Sequence, residues 1–200
     1  MHKRPTTWTR IGLAFLLMAS AGVWAQTSDL TVTFRKPNVD FKQYSKLLIV
    51  PLNLSDTRII PPPWVENADP HKWELTKKNE DTLRSAYADA VRKGIEESGD
   101  FKVVDAAAPG TLQVEVRLIS LTPYAARGEQ TTTLGAGSLS FEAHVRDARN
   151  GELLGLFQGT QQVGQEYQEN TPYNRVSTLT EHFTDWGRNV SRRLTAARAQ

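Results

Sequence analysis

Apolar residues recur along this chain at two spacings, and each change of spacing marks a change from helix to strand. Between Thr76 and Ser98, Leu83, Ala86, Tyr87, Ala90, Val91, Gly94 and Ile95 follow the i, i+3, i+4 rule of an amphipathic helix. Glu80, Arg84, Lys93 and Glu96 occupy the opposite face, and Gly99 supplies the stop. A second helix is predicted from Thr178 to Ala197, with Leu179, Phe183, Trp186, Val190, Leu194 and Ala197 on one face. Thr178 and Glu181 have capping-box spacing. Arg188, Arg192, Arg193 and Arg198 gather towards its C-terminal end, where cations favour the helix dipole and a solvated face is the simplest reading.

Elsewhere the period is two. Leu112, Val114, Val116 and Leu118 alternate with Gln113, Glu115 and Arg117. Leu139, Phe141, Ala143 and Val145 alternate with Ser140, Glu142, His144 and Arg146. Both patterns predict strands with one wet face. Asn150-Gly151 tolerates the positive φ of a tight hairpin, so Gly151 to Val163 reads as the returning strand. Leu47 to Leu52 is apolar on both faces and predicts a central, doubly covered strand. Asp29 to Phe34 predicts a short edge strand and Phe101 to Asp105 another short strand. Two long loops interrupt the pattern. Residues 55–75 hold Pro61-Pro62-Pro63-Trp64, predicted in extended polyproline form, and Asp69-Pro70, predicted as a turn. Pro123 to Gly137 is polar and contains Gly128, Gly135 and Gly137.

These elements predict an α+β fold: a mixed, largely antiparallel sheet with two main helices packed on it. The strand–helix–strand unit through the first helix should cross over right-handedly between parallel strands, and the later strands should form an antiparallel meander. No internal repeat or second core is visible. Residues 26–36 read as an N-terminal extension or edge strand, and 37–200 as a single domain.

The first 25 residues are different in kind. Lys3, Arg4 and Arg10 precede an uncharged run from Ile11 to Val23, and Val23-Trp24-Ala25 follows. This is the layout of a secretory signal with its cut after Ala25. The run is too short for a spanning helix, which needs about 20 residues. The chain has a formal net charge of +2. Removing the three leader cations leaves the mature protein close to neutral, which gives no electrostatic case for nucleic acid. There is no cysteine, hence no disulfide, thiolate metal site or lipid-attachment residue. That absence favours a bacterial periplasm.

Candidate chemistry is sparse. His71, His144 and His182 have no metal-ligand spacing, no serine sits in a nucleophile elbow, and Gly135-Ala136-Gly137-Ser138 leads into a strand rather than a helix N-terminus. The expectation is therefore no catalytic residue, no metal and no cofactor. Glu74, Asp89, Glu115 and Glu142 are carboxylates that the fold would have to pair for hydrolysis. Asp147 is expected to stabilise the turn ahead of Asn150-Gly151. The remaining feature is the Pro-rich loop. Exposed tryptophan is a good interface anchor, so Pro62, Pro63, Trp64 and Trp73 are the candidate partner contacts.

Several segments in fixed order carry a resemblance: Tyr44 to Pro51, Phe101 to Asp105, Pro109 to Val114, Gly135 to Phe141, and Asp147 with Asn150 to Leu154. Together they span most of residues 37–195 and resemble an uncharacterised family of exported bacterial proteins, domain of unknown function thirty-three-thirteen. Many members look like lipoproteins; this chain departs from them in having no cysteine. The resemblance implies an envelope protein and supplies no catalytic residues. The expected function is a non-catalytic periplasmic binding or adaptor domain, with an envelope protein as partner and no membrane span after signal cleavage. An envelope small-ligand or glycan-binding protein is the alternative, and a carboxylate-dependent hydrolase the third reading. Partner identity and oligomeric state stay open at this level.

Overall fold

The computed structural model describes residues 29–199, so the predicted signal peptide and its cut after Ala25 lie outside the described residues. The elements are β1 (Asp29–Arg35), β2 (Lys46–Ile49), β3 (Arg58–Ile59), α1 (Lys77–Ser98), β4 (Lys102–Val104), β5 (Thr111–Pro123), β6 (Thr132–Leu134), β7 (Gly137–Asp147), β8 (Leu153–Val163), β9 (Tyr167–Glu169) and α2 (Pro172–Arg198). The main sheet has the order β1-β8-β7-β5-β2-β4, with β3 joining β5 beyond the end of β2. β2 runs parallel to both β4 and β5, while β5, β7, β8 and β1 are antiparallel in succession. The architecture is α+β, as the periodicity predicts: two helices on a mixed, mostly antiparallel sheet.

The sheet sorts its two faces by the alternation read in the sequence. Leu112, Val114, Val116 and Leu118 of β5 are buried, as are Leu139, Phe141 and Val145 of β7. They meet Leu83, Tyr87, Val91 and Ile95 of α1 and Phe183 and Trp186 of α2 in one core. Trp186 lies 4.4 Å from Phe141, centroid to centroid, and its indole N–H donates to Gln161 Oε1 at 2.5 Å. A buried indole needs that acceptor, because an unmet donor would forfeit hydration without return. The other sheet face carries Gln113, Glu115, Arg117, Glu142, His144 and Arg146, all half-buried, and among the described residues no helix packs on it.

This two-layer arrangement corrects the reading of Leu47 to Leu52. The strand ends at Ile49, and within it only Leu47 is fully buried; Leu48 pairs with Gln113 on the polar face and is half-buried, while Leu52 is buried beyond the strand's end. Pro51 lacks an N–H and breaks the regular ladder. Val50 and Asn53 still donate to Val114 and Val116, so the chain follows β5 irregularly as far as β3.

α1 begins and ends where its sequence predicts. The Thr76 side chain accepts from the Asn79 N–H, and Gly99 takes φ 73° at the C-terminus. α2 starts earlier than predicted. Thr171 is the cap, accepting from the Asn174 N–H, and Pro172 occupies the first turn. Thr178 is helix interior, its hydroxyl donating back to the Asn174 carbonyl at 2.8 Å. A second cap-like threonine seven residues downstream concealed the true start. The polar loop from Pro123 to Gly137 likewise holds a strand, β6, which pairs with β9 as a separate two-stranded sheet. Strands this short carry too little periodicity to be legible.

Asp147 anchors the β7–β8 turn as expected. Its carboxylate accepts from the Arg149 N–H at 2.8 Å and from the Tyr44 hydroxyl at 2.8 Å, tying the entry to β2 to the hairpin. Burial raises the Asp147 carboxyl, but these donors outweigh it and leave it below its ordinary value. Burial first, then the bond to Asp147, pushes the Tyr44 hydroxyl up to about 12.

Candidate functional site

The Pro-rich loop is where the structure separates residues that the sequence put together. Pro62 is fully buried and Pro63 exposed. Trp64 is 64% exposed, whereas Trp73 is only 8% exposed. The predicted polyproline form does not occur at Trp64. The Val65 N–H bonds the Pro62 carbonyl at 3.0 Å, closing a turn with Pro63 and Trp64 at its centre. Proline suits the first central position because its φ is preset. The turn points Trp64 outward, with Tyr124 as its aromatic neighbour at 5.7 Å. Residues 70–72 form a short 3-10 turn capped by Asp69, and it turns Trp73 inward. Trp73 and Pro62 are packing residues in this conformation; Trp64 and Pro63 present surface.

Trp73 packs beside a cleft of about 240 Å³. The cleft opens at the end of the sheet where β5 stops and β7 starts, between the N-terminal turns of α1 and α2. Ile59, Trp73, Leu75, Leu83, Leu121, Pro123, Val163 and Leu179 contribute apolar lining. Lys72, Glu74, Lys78, Arg127 and Arg175 supply the charged lining. Arg127 bonds the His71 carbonyl and reaches Glu74 at 3.3 Å. Arg175 bonds Asn170, and burial lowers its pKa. Among the described residues, the Lys72 and Lys78 ammonium groups have no acid within ion-pair distance. The surrounding surface also exposes Ile60, Leu134, Tyr167, Tyr173 and Val176. Thus Glu74, one of the four candidate carboxylates, sits in the cleft wall as the partner of an arginine.

The other carboxylates are distributed differently. Asp89 is exposed on α1. Glu115 and Glu142 lie on the polar sheet face, where Glu115 pairs with His144 and Arg117 with Glu142 across the ladder. Glu142 Oε1 is 2.6 Å from His144 Nε2, and its Oε2 accepts from Gln158 at 2.8 Å. The bond from Gln158, then that from His144, holds this carboxyl below its ordinary value. A general acid needs the reverse shift. His144 Nδ1 lies 3.4 Å from Arg146, so both ring nitrogens are occupied. The described residues contain no group of three or more His, Asp or Glu placed to hold a metal ion.

His182 lies on α2 against Phe183 and Trp186, with Nε2 buried and unpartnered among the described residues. Burial lowers its pKa from 6.5, and Asp185 opposes this more weakly. The unfolded chain therefore binds a proton here at a pH where the folded chain does not, so this contribution to stability is lost as pH falls from about 6.5 through the lowered folded value. His182→Leu should flatten that acid-side loss. Urea midpoints measured for both proteins between pH 7.5 and 5 would check this; parallel curves would exclude His182 as the titrating group. Arginines at both ends of the predicted cluster on α2 have structural partners. Arg188 donates to Glu97 of α1 at 2.6 Å and to Asp185 at 2.7 Å, and Arg198 stacks 5.2 Å over Phe101.

A family model described as a protein of unknown function, DUF3313, matches residues 25–190. No curated protein matches the chain. Among solved structures, protein XCC0632 from Xanthomonas campestris, of the DUF330 family, is 13% identical and covers 84% of this chain and 95% of its own, with TM-score 0.46. The PelC dodecamer subunit from Paraburkholderia phytofirmans is 12% identical, covering 78% and 93%, with TM-score 0.38. Lipoprotein GNA1162 from Neisseria meningitidis is 12% identical, covering 72% and 99%, with TM-score 0.31.

Proposed function

The chain belongs to the DUF3313 family of proteins of unknown function, and from that premise we propose that it is a non-catalytic binding domain of the bacterial envelope, exported to the periplasm, that holds a protein partner at its loop end. The observation that carries this reading is Trp64. Among the described residues its ring is the largest side chain left exposed; it sits on a turn preset by Pro63, and Tyr124 backs it. An aromatic held rigidly in water gives up little conformational entropy on binding, which is why such residues anchor interfaces. The predicted signal peptide supports the location. Among the described residues, no helix is long and apolar enough to cross a membrane.

A photoreactive phenylalanine placed at position 64, with a second protein carrying it at the exposed position 93 on α1, tests the reading in periplasm-exporting cells. The expected result is one envelope protein crosslinked from position 64 and absent from position 93. Trp64→Ala should change folding stability by less than about 1 kcal/mol, as exposed substitutions do. Identical crosslinks from both positions, or none from folded exported protein, would overturn the proposal.

A further inference from the structure

We propose that the cleft beside Trp73 is a binding site for one medium-length acyl chain with an anionic head, a site separate from the Trp64 surface. Three features of the cleft converge. Its size comes first. At about 240 Å³ it exceeds the roughly 150 Å³ apolar cavity known to take a benzene ring, and it falls short of the roughly 300 Å³ at which sites for drug-sized ligands begin. An alkyl chain of intermediate length fits that interval.

The walls come second. Trp73, Leu75, Leu121, Val163 and Leu179 approach from the long loop, β5, β8 and α2, so apolar surface surrounds the space on several sides. An occupant that displaces water from such walls gains free energy in proportion to its own apolar area.

Charge is the third. Lys72, Lys78, Arg127 and Arg175 lie in the lining with Glu74 as the sole acid. Glu74 is already engaged by Arg127, which leaves a cationic surplus that nothing among the described residues neutralises. α1 and α2 both begin at the cleft, and the positive ends of their dipoles add to it. A neutral apolar ligand would leave this rim unused, and a free phosphate would leave the walls unused. An acyl anion uses both, its chain against the walls and its head at Lys72 and Lys78.

The test uses the mature protein, with Trp73 fluorescence and calorimetry as readouts and sodium decanoate and decanol as ligands. Decanoate is expected to bind saturably at one per chain, about tenfold more tightly than decanol, a ratio that a single charge-assisted contact supplies. In Lys72→Gln/Lys78→Gln, whose side chains are both exposed, the decanoate advantage should vanish while decanol binding persists. Equal affinities in the unaltered protein, or no saturation below the decanoate micelle threshold, would overturn the proposal. Competition by a monomeric short-chain phosphatidylglycerol would make a lipid tail the source of the chain; lack of competition would make it free fatty acid. Loss of this site would leave the position-64 crosslink in place, so the two proposals fail separately.

Discussion

Gly187→Ala is expected to lower folding stability by about 3 kcal/mol, the upper end of what overpacking costs. α1 and α2 touch backbone to backbone at two glycines. A Cβ on Gly187 would fall far inside contact distance of the Val91 carbonyl oxygen and lie 3.0 Å from Gly94 Cα. A Cβ on Gly94 would collide with the Thr184 carbonyl and lie 3.0 Å from the Arg188 nitrogen. These are main-chain atoms of two long helices, which no rotamer change can move aside. The helices must separate, and separation loosens the packing of Phe183 and Trp186 on the sheet. Intrinsic propensity works the other way, because alanine in a helix interior is favoured over glycine by about 1 kcal/mol. The sign of the change is therefore informative. Urea unfolding would decide it: a midpoint equal to or above that of the unaltered protein would mean that α1 and α2 do not cross at these glycines. Gly94→Ala should behave alike.

Phe183→Ala should cost about 3–5 kcal/mol, the range for truncating a fully buried aromatic. Phe183 has no exposure. Its ring meets Tyr87 of α1 edge-on at 5.5 Å and Trp186 at 5.3 Å. It is the side chain through which α2 grips α1, and it braces the sheet-facing Trp186 of its own helix. Removing it leaves a cavity that the glycine crossing prevents the helices from closing, since they are already in backbone contact. The same denaturation experiment checks it, and a loss below about 1 kcal/mol would contradict the core as described. Trp64→Ala is the useful contrast: a larger ring is removed, yet stability should hardly change because that ring packs on the outside. The pair of variants separates an aromatic that builds the fold from one that is available to a partner.

The polar sheet face illustrates why chemistry was harder to read than structure. Alternation alone places Glu142, His144 and Arg146 on one side of β7. It does not reveal that Gln158 of β8 and Arg117 of β5 lie beside Glu142, because register is set by the hairpin turn and the bulges, not by local composition. Only with that register is Glu142 seen to be fully hydrogen-bonded and held in its ionised form.

The sequence by itself determined the elements and their faces. The 3.6-residue period from Leu83 to Ile95, the threonine and glycine caps of α1, the two-residue alternation of β5 and β7, and the Asn150-Gly151 turn are local properties, and each is dictated by the backbone geometry of a few neighbouring residues. Family membership was legible for the same reason, since it rests on short segments in fixed order. Tertiary structure alone decided the candidate sites. Trp64 and Trp73 lie in one loop with similar neighbours, yet one faces water and the other the cleft, according to whether the chain turns at Pro63 or at Pro70. The cleft joins residues from the long loop, both helices and four strands, so no stretch of sequence contains it. The glycine crossing is likewise a relation between two helices some ninety residues apart. Local spacing encodes which side of an element is apolar; it does not encode which other element will cover that side, because that depends on how all the elements share one core.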